Sequence, residues 1–558
     1  MIGCIGAVYR VYAVPYRSTY YSHAHPETAF KSRFKQLPTQ LSLQLKDVTM
    51  SWPTQIDFDD ATLFGNDAAE DENQDVFNAY FVPRPEVDLF FQSSRPLAIL
   101  RAYRGEGKSA IIRHVHQTNE SKGIWSVKLT GSALSPAVES SDPNVWNREW
   151  QRSILESIAA DIGRRIGIAW TDDAMSLVEE AERKGFKQRS LVSSILTRLK
   201  FKDLPELKEK DGQTTLGQIQ RYLDDKESFW VFVDDVDEDF QNTDSFRQRV
   251  SSFYSACRNL SNAVPQLLFR SSIRPNVWRI LRAHSESLSK VDQYAIDLQW
   301  DYPSVRKMLA KRIEGFLVRK GQQAVLDRYA NQKGSVWEES LCDLIFESPM
   351  QWGYNVSESK PVYKHSSVVL GTLSRYRPRW LVELCRLASK QRTKSTSTIS
   401  CRDITGVLRE FGRERIEDLA AEYRSECPQV QDLINAFAGT KEDFTTDQLT
   451  KTITNRILNG TVVTMASSGT VTQPMKVAAF LYEIGFLTAR RDDGNDEYTH
   501  YVFAEKPEPL HTRTNVDQGL SWEIHPVFRQ VLGLRDDTGR KLAGMEQNHA
   551  PRSRKNRF

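Results

Sequence analysis

Two spacings of apolar residues take turns along the middle of the chain. Leu97 to Leu100 is a short unbroken apolar run, as in a strand buried on both faces, and Ala110-Ile111-Ile112 then open a helix. Ile124 to Leu129 (IWSVKL) alternates as a strand, and Trp150 to Ile166 and Leu191 to Leu199 repeat at helical spacing. Phe229 to Val233 (FWVFV) and Gln266 to Phe269 (QLLF) are continuous apolar runs again, and Tyr294 to Leu298 supplies a fifth strand. Strands separated by helices predict an α/β domain over residues 91–300, with a mainly parallel five-stranded sheet covered on both faces.

The flanks have a different rhythm. Residues 1–49 lack clear periodicity and a cleavage site, so they read as a poorly ordered leader or an over-extended start, with a targeting arm as the alternative. Residues 50–90 are acidic over DFDDATLFGNDAAEDENQD and then aromatic. Pro83 and Pro85 break Phe77 to Phe91 into pieces that predict a short helix over the edge of the sheet domain. After Pro303, residues 301–425 predict a helical lid: a basic amphipathic helix at Val305 to Arg319, then Trp337 to Phe346, Val368 to Leu387 interrupted near Pro378, and Arg402 to Tyr423. Residues 426–545 give helices at Gln431 to Phe437, Thr446 to Leu458 and Met475 to Ile484. Two strands follow, Phe486 to Arg490 and Tyr498 to Phe503, so the pattern is that of a winged helix-turn-helix. Residues 546–558 form a basic tail with Arg552, Arg554, Lys555 and Arg557.

Composition narrows the field. At 558 residues, 40% hydrophobic and 26% charged, the chain is globular and too long for one core. A formal net charge of +3 supplies no global field for nucleic acid, so any such contact has to come from a local patch. The 6 cysteines are scattered without C-x-x-C spacing, which fits reduced thiols in a cytoplasmic protein, and no apolar run is long enough to span a membrane. His23 and His25 have no thiol or paired carboxylates nearby to complete a metal site.

Chemistry gathers at three strand ends. The stretch Arg104, Gly105, Glu106, Gly107, Lys108, Ser109 and Ala110 lies between the first strand and its helix, and it predicts a phosphate-binding loop. Glycines let backbone amides point at a polyphosphate, Lys108 reaches the β and γ phosphates, and Ser109 ligates Mg²⁺. Ala102 stands where the usual first glycine of G-x-x-x-x-G-K-[ST] would be. The apolar run Phe229 to Val233 ends in Asp234, expected to hold Mg²⁺ with Ser109, and Asp235, expected to polarise the attacking water. Glu238 competes with Asp235 as the base, while Asp237 and Asp239 are expected to decorate a solvated loop. Past the next run, Arg274 and, sharing its parity, Arg270 are candidates for sensing the third phosphate, against the plain reading of salt bridges. In the lid, Arg377-Pro378-Arg379 starts a helix and could place a guanidinium over the nucleotide. An exposed basic helix start is the alternative.

Together, FGNDAAEDE (Phe64 to Glu72), G-E-G-K-S, V-F-V-D-D, L-L-F-R-S-S-I-R, R-Y-R-P-R-W-L, L-Y-E-I-G-F-L (Leu481 to Leu487) and W-E-I-H-P-V-F-R (Trp522 to Arg529) resemble a family of bacterial P-loop ATPases. It is the Sll-type family, related to STAND and origin-recognition-type AAA-like enzymes, and the resemblance spans about Phe64 to Leu534. Members usually carry Lys-Gly-Ser-Gly-Lys-Ser where this chain has Arg104 to Ser109, so Glu106 brings a carboxylate close to the phosphates. The resemblance implies a molecular switch that binds ATP and Mg²⁺, with antiviral defence as one setting.

Three functions follow as expectations. The first is an ATP-hydrolysing switch whose lid and winged helix respond to nucleotide state. The second is a DNA-binding regulator that uses the nucleotide domain to oligomerise, and the third is a non-hydrolysing scaffold. Expected partners are ATP and either a protein effector or a second copy of the chain. Val477, Phe480, Leu481 and Ile484 form the inward stripe of the third helix of the winged domain, leaving Lys476, Ala479, Tyr482 and Glu483 outside. That face lacks a bidentate base reader, so only non-specific DNA contact, through Lys476, Arg490 and Arg491, stays open.

Overall fold

The apolar runs organise a sheet of β1 (Leu97–Arg101), β2 (Trp125–Thr130), β3 (Phe229–Asp234), β4 (Leu267–Ile273) and β5 (Ala295–Asp297). The computed structural model describes residues 56–535 apart from 137, 139, 141, 166–211, 224–227, 356–359, 394–395, 495–496 and 511–518. The leader, the helix expected at Leu191 to Leu199 and the basic tail lie outside the described residues. The strand order is β2-β3-β4-β1-β5, and every neighbouring pair is parallel.

Period-two alternation divides the strands between two cores. Leu97, Ile99, Val231, Val233 and Phe269 face one layer, and Ala98, Leu100, Trp230, Phe232 and Leu268 the other. Helices α1 (Gln74–Tyr80), α2 (Pro85–Phe91), α3 (Lys108–Ser121), α4 (Pro143–Arg165), α5 (Gly212–Leu223), α6 (Asp244–Ala263) and α7 (Pro275–His284) accompany the sheet. Trp150 of α4 and Phe253 of α6 pack edge to face at 5.1 Å in the first core, while Phe90, Ile111 and Val115 close the second. Truncating a residue such as fully buried Phe232 to alanine would cost about 3–5 kcal/mol. This is the layered α/β architecture of a P-loop NTPase domain.

The fourth strand departs from expectation. It continues through Arg270-Ser271-Ser272 to Ile273, beyond the expected end at Phe269. Pairing with β1 on one side and β3 on the other carries those polar residues into the sheet. Arg270 is fully buried there. Its guanidinium donates to the carbonyls of Phe90 (2.6 Å), Phe269 (2.8 Å) and Gln92 (2.6 Å) and lies 4.4 Å from the Trp230 ring. Arg270 therefore anchors the end of α2 and is removed as a phosphate sensor. Equal parity with Arg274 does not place the two together, because Arg274 already caps α7 and has left the strand.

Beyond the sheet come α8 (Tyr302–Arg319), α9 (Gly334–Asp343), α10 (Ser366–Leu373), α11 (Pro378–Gln391) and α12 (Cys401–Tyr423), the helical lid. A hairpin of β6 (Met350–Asn355) and β7 (Lys360–Lys364) was not expected, since Gly353 and Pro361 obscure its alternation. Ser400 and Asp403 form a reciprocal capping box that starts α12.

The last region contains α13 (Val430–Asn435), β8 (Asp443–Phe444), α14 (Thr446–Ile453), β9 (Val463–Met465), β10 (Gly469–Val471), α15 (Pro474–Glu483), β11 (Leu487–Gly494), β12 (Glu497–Tyr501), β13 (Leu520–Ile524) and α16 (Pro526–Arg529). The winged helix thus has two features beyond its expected three helices and hairpin. A small β9–β10 hairpin interrupts the path from α14 to α15, and β13 inserts between β11 and β8 to give a four-stranded sheet ordered β12-β11-β13-β8.

Helix α15 also differs from expectation. Ala479 and Tyr482, expected outside, are buried with Val477, Phe480 and Leu481. The Tyr482 hydroxyl donates to the Lys506 carbonyl at 2.9 Å, and its ring packs edge to face on Trp522 at 5.2 Å. Glu483 pairs with Arg279 of α7, and Phe480 packs on Tyr423 at the end of α12. The helix that would read DNA therefore packs on its own sheet and touches the lid through Tyr423 and the nucleotide domain through Arg279, with Lys476 exposed at its start.

Candidate nucleotide-binding site

Parallel pairing brings the carboxyl ends of β1, β3 and β4 to one edge, where ligands of open α/β sheets bind. A cleft of about 1130 Å³ opens there, lined by residues that include Arg104 to Ala110, Asp235, Glu238, Arg274 and Arg379.

The loop after β1 turns on Gly105 and Gly107, both left-handed at φ 80 and 96, which residues with a Cβ rarely adopt. Gly107 then caps α3, so the first amides of that helix face the cleft. Lys108 is buried and donates to the Ala102 carbonyl at 3.1 Å and the Tyr103 carbonyl at 3.4 Å. Ser109 lines the cleft beside it.

Glu106 does not face the phosphate side as expected. Its carboxylate folds back to accept the Tyr103 amide at 2.6 Å, while its carbonyl accepts the Trp300 indole at 2.8 Å. Burial raises its pKa, opposed mainly by the positive charge of Arg377.

At the end of β3, Asp234 is buried and accepts the Ser272 hydroxyl at 2.5 Å and the Asp235 amide at 3.1 Å. Asp235 stands forward of it with a left-handed φ of 52. It is more open to solvent than Asp234, yet its carboxyl is pushed up to about 6 by partial burial and then by the Asp234 charge, with Lys108 pulling the other way. Glu238 is exposed on the same wall.

Asp237 corrects the expectation of a solvated residue. It is buried and accepts the Arg274 side chain at 2.5 Å and the Arg274 amide at 3.1 Å. Arg274 thus lines the cleft as one half of an ion pair. The salt-bridge reading holds for it in this arrangement, and a role toward phosphate would require it to leave Asp237.

The two lid arginines separate. The Arg379 amide donates to the Gly105 carbonyl at 3.2 Å, and its guanidinium enters the cleft 3.7 Å from Asp67. Arg377 instead lies buried beneath the loop, 2.9 Å from Glu422, and is not among the cleft-lining residues. Burial would lower its pKa, but the charges of Glu422 and Glu106 outweigh that and raise it. The other oxygen of Glu422 accepts the Arg104 amide at 3.0 Å.

Three contributors were not singled out from sequence: Glu422, Trp300 and Asp67. Glu422 left a faint signal, a carboxylate among the buried positions Phe411, Ile416, Leu419 and Tyr423 of α12. Among the described residues no group of His, Cys, Asp and Glu could by itself hold a metal ion. Ser109 and the Asp234–Asp235 pair suit Mg²⁺, which commonly takes one or two protein oxygens and completes its shell with phosphates and water. The upward pull of Asp234 on Asp235 is the repulsion that a bound cation would relieve. No described helix is long and apolar enough to cross a membrane. Cys257, Cys342, Cys385, Cys401 and Cys427 are buried thiols outside any disulfide.

No protein-family model and no curated protein matches the chain. Among solved structures it is similar to Cdc6p from Pyrobaculum aerophilum, at 10% identity over 77% of this chain and 93% of that one, with a TM-score of 0.31. It is similar to the Aeropyrum pernix ORC1 protein in complex with DNA, at 11% identity over 76% and 89%, with a TM-score of 0.31. The Aeropyrum pernix ORC2 protein in its ADPNP–ADP complexes is similar at 10% identity over 82% and 96%, with a TM-score of 0.36.

Proposed function

We propose that the chain is an ATP-binding and ATP-hydrolysing P-loop switch that couples nucleotide state to its lid and winged helix. The observation that carries this reading is the meeting of the Gly105–Ser109 loop, the β3 carboxylates and Arg379 of the lid around one cleft. In this reading the α3 amides and Lys108 bind the β and γ phosphates, and Lys108 exchanges its loop carbonyls for them. Ser109 and Asp234 would hold Mg²⁺, which supplies charge neutralisation of the phosphates when bound.

Asp235 acts as the base that takes a proton from the attacking water. An elevated pKa suits that task, because a carboxylate titrating near 6 is a better proton acceptor than one near 4 while remaining ionised at neutral pH. Glu238 is the alternative base, and Arg379 compensates charge on the leaving side. The apolar arm of the cleft, with Phe77, Tyr80, Phe81 and Val82, provides a slot for the base of the nucleotide.

The resemblance to switch ATPases points to a defence or conflict setting, with a protein effector or a second copy of the chain as partner. The enclosed α15 favours the switch over a DNA-reading regulator, since its faces are already occupied. Measurement of ATP binding and turnover, with and without Mg²⁺, tests the proposal. Tight binding without turnover leaves the scaffold, and neither activity removes the assignment.

A further inference from the structure

The connection between α10 and α11 holds two left-handed residues in succession, Arg375 at φ 54 and Tyr376 at φ 57. Neither is glycine, and such a conformation persists only where surrounding contacts impose it. Those contacts are visible. The Tyr376 ring lies over Gly371, where a Cβ would come within 3.2 Å of it, and the Tyr376 amide donates to the Gly371 carbonyl at 2.9 Å. Pro378 begins α11 immediately afterwards, fixing the outgoing direction.

This turn sends three arginines to three destinations. Arg379 enters the cleft, and Arg377 runs under the loop to Glu422. Arg375 points to the winged helix, where its guanidinium presses on Gly485 so closely that any Cβ there would overlap it. Gly485 ends α15 with φ 71, so it is needed both for its backbone and for its missing side chain. Beside this contact the imidazole of His525 is buried, and burial and then the nearby Arg375 charge hold its pKa well below the usual imidazole value. The winged helix is therefore seated on the lid where Arg375 meets Gly485.

We infer that Arg375 is a positioning residue that couples occupancy of the cleft to docking of the winged helix. The inference rests on the reading of the cleft as a nucleotide site. Arg375, Arg377 and Arg379 share one short, sterically fixed turn, and of the three only Arg379 lines the cleft, so its displacement by phosphates shifts Arg375 against Gly485. By linkage, loosening the Arg375–Gly485 seat must also alter nucleotide affinity.

The test uses the full chain carrying Gly485→Ala or Arg375→Ala. Hydrogen exchange without nucleotide reads docking at α15, and calorimetry with ATP reads affinity. Both variants are expected to speed exchange across α15 and to weaken ATP binding by about fivefold or more, the lower end of typical coupling. Exchange at wild-type rates in both variants overturns the seat. Faster exchange with ATP affinity within about twofold of wild type overturns the coupling, since that is below the range such coupling occupies. Exchange in the β3 and α6 core reports whether a variant is folded. Arg375→Lys, which keeps the charge and most of the stem, gives a second folded probe and is expected to fall between wild type and Arg375→Ala. If the wild-type chain binds no ATP, the nucleotide reading and the coupling fall together, while the exchange data still decide the seat.

Discussion

Helices α3 and α15 are the two helices that a phosphate-bearing ligand would meet in a P-loop and in a winged-helix reader, and the fold treats them in opposite ways. The N-terminus of α3 follows left-handed Gly107 and opens on the cleft, with Lys108 and Ser109 at its mouth. Helix α15 follows Gln473 and begins at Pro474, buries Val477 through Tyr482, and commits Glu483 to Arg279 of the nucleotide domain. Unpaired amides beside a cleft favour an anion, whereas a helix with six successive buried residues has little surface left for one. In the proposed reading the first is a binding element and the second a joint, in line with the expectation that α15 reads no sequence and offers at most non-specific phosphate contact.

The strongest way to break this contrast is Lys108→Ala. It is expected to abolish ATP binding in calorimetry while leaving the fold intact, because only two loop carbonyls lose a donor. Unchanged affinity in a folded variant would remove the binding role of α3. Next in size is Asp235→Asn, expected to retain ATP while losing about 10²- to 10⁴-fold in turnover, the scale of general acid–base catalysis. Should Asp235→Asn turn over normally while Glu238→Gln does not, the base is Glu238.

The pH profile sharpens the same point with a smaller effect. The active form of Asp235 is the carboxylate, and its pKa is raised to about 6. Turnover at saturating ATP should therefore rise about tenfold per unit from pH 4.5 toward 6 and level off above 7. Bound Mg²⁺ would move the midpoint lower, since a nearby cation favours the carboxylate. An Asp235→Asn variant that keeps the wild-type profile would dissociate the titration from Asp235.

The sheet was legible because β1 and β3 are unbroken apolar runs, and such runs need no distant partner to be recognised. The glycine loop and the Asp234-Asp235 strand end were legible for a related reason: their geometry is local to a strand end. What stayed hidden was long-range charge pairing. Nothing near Arg270 in sequence announces the carbonyls of Phe90 and Gln92, and nothing near Arg104 announces Glu422. Arg274 and Asp237 form an ion pair across 37 positions, which turned an expected sensor and an expected loop residue into each other's partners. Amphipathic spacing read the inward stripe of α15 but was silent on its outer face, because Arg279, which pairs with Glu483, comes from elsewhere in the chain.

The smallest expected effect bears on α15 as a joint. Glu483→Gln removes the charge paired with Arg279, whose side chain is 47% exposed, so the loss of docking should be within the 0–1 kcal/mol typical of solvent-reached ion pairs. Buried Phe480 and Tyr482 should hold the helix in place, leaving the melting temperature shifted by no more than a few degrees. DNA binding gives the complementary measurement. With most of α15 buried, exposed Lys476 at its start can touch phosphates but presents no bidentate reader set in a groove. Any affinity for duplex DNA should therefore fall steeply between 50 and 200 mM salt, as backbone contacts do, and differ little between sequences. Titration of wild type and Glu483→Gln against scrambled and candidate operator duplexes at both salt concentrations decides the matter. A preference of about 10³-fold for one sequence, the scale of specific recognition, would mean that α15 leaves its seat to read DNA, and the joint assignment would fall.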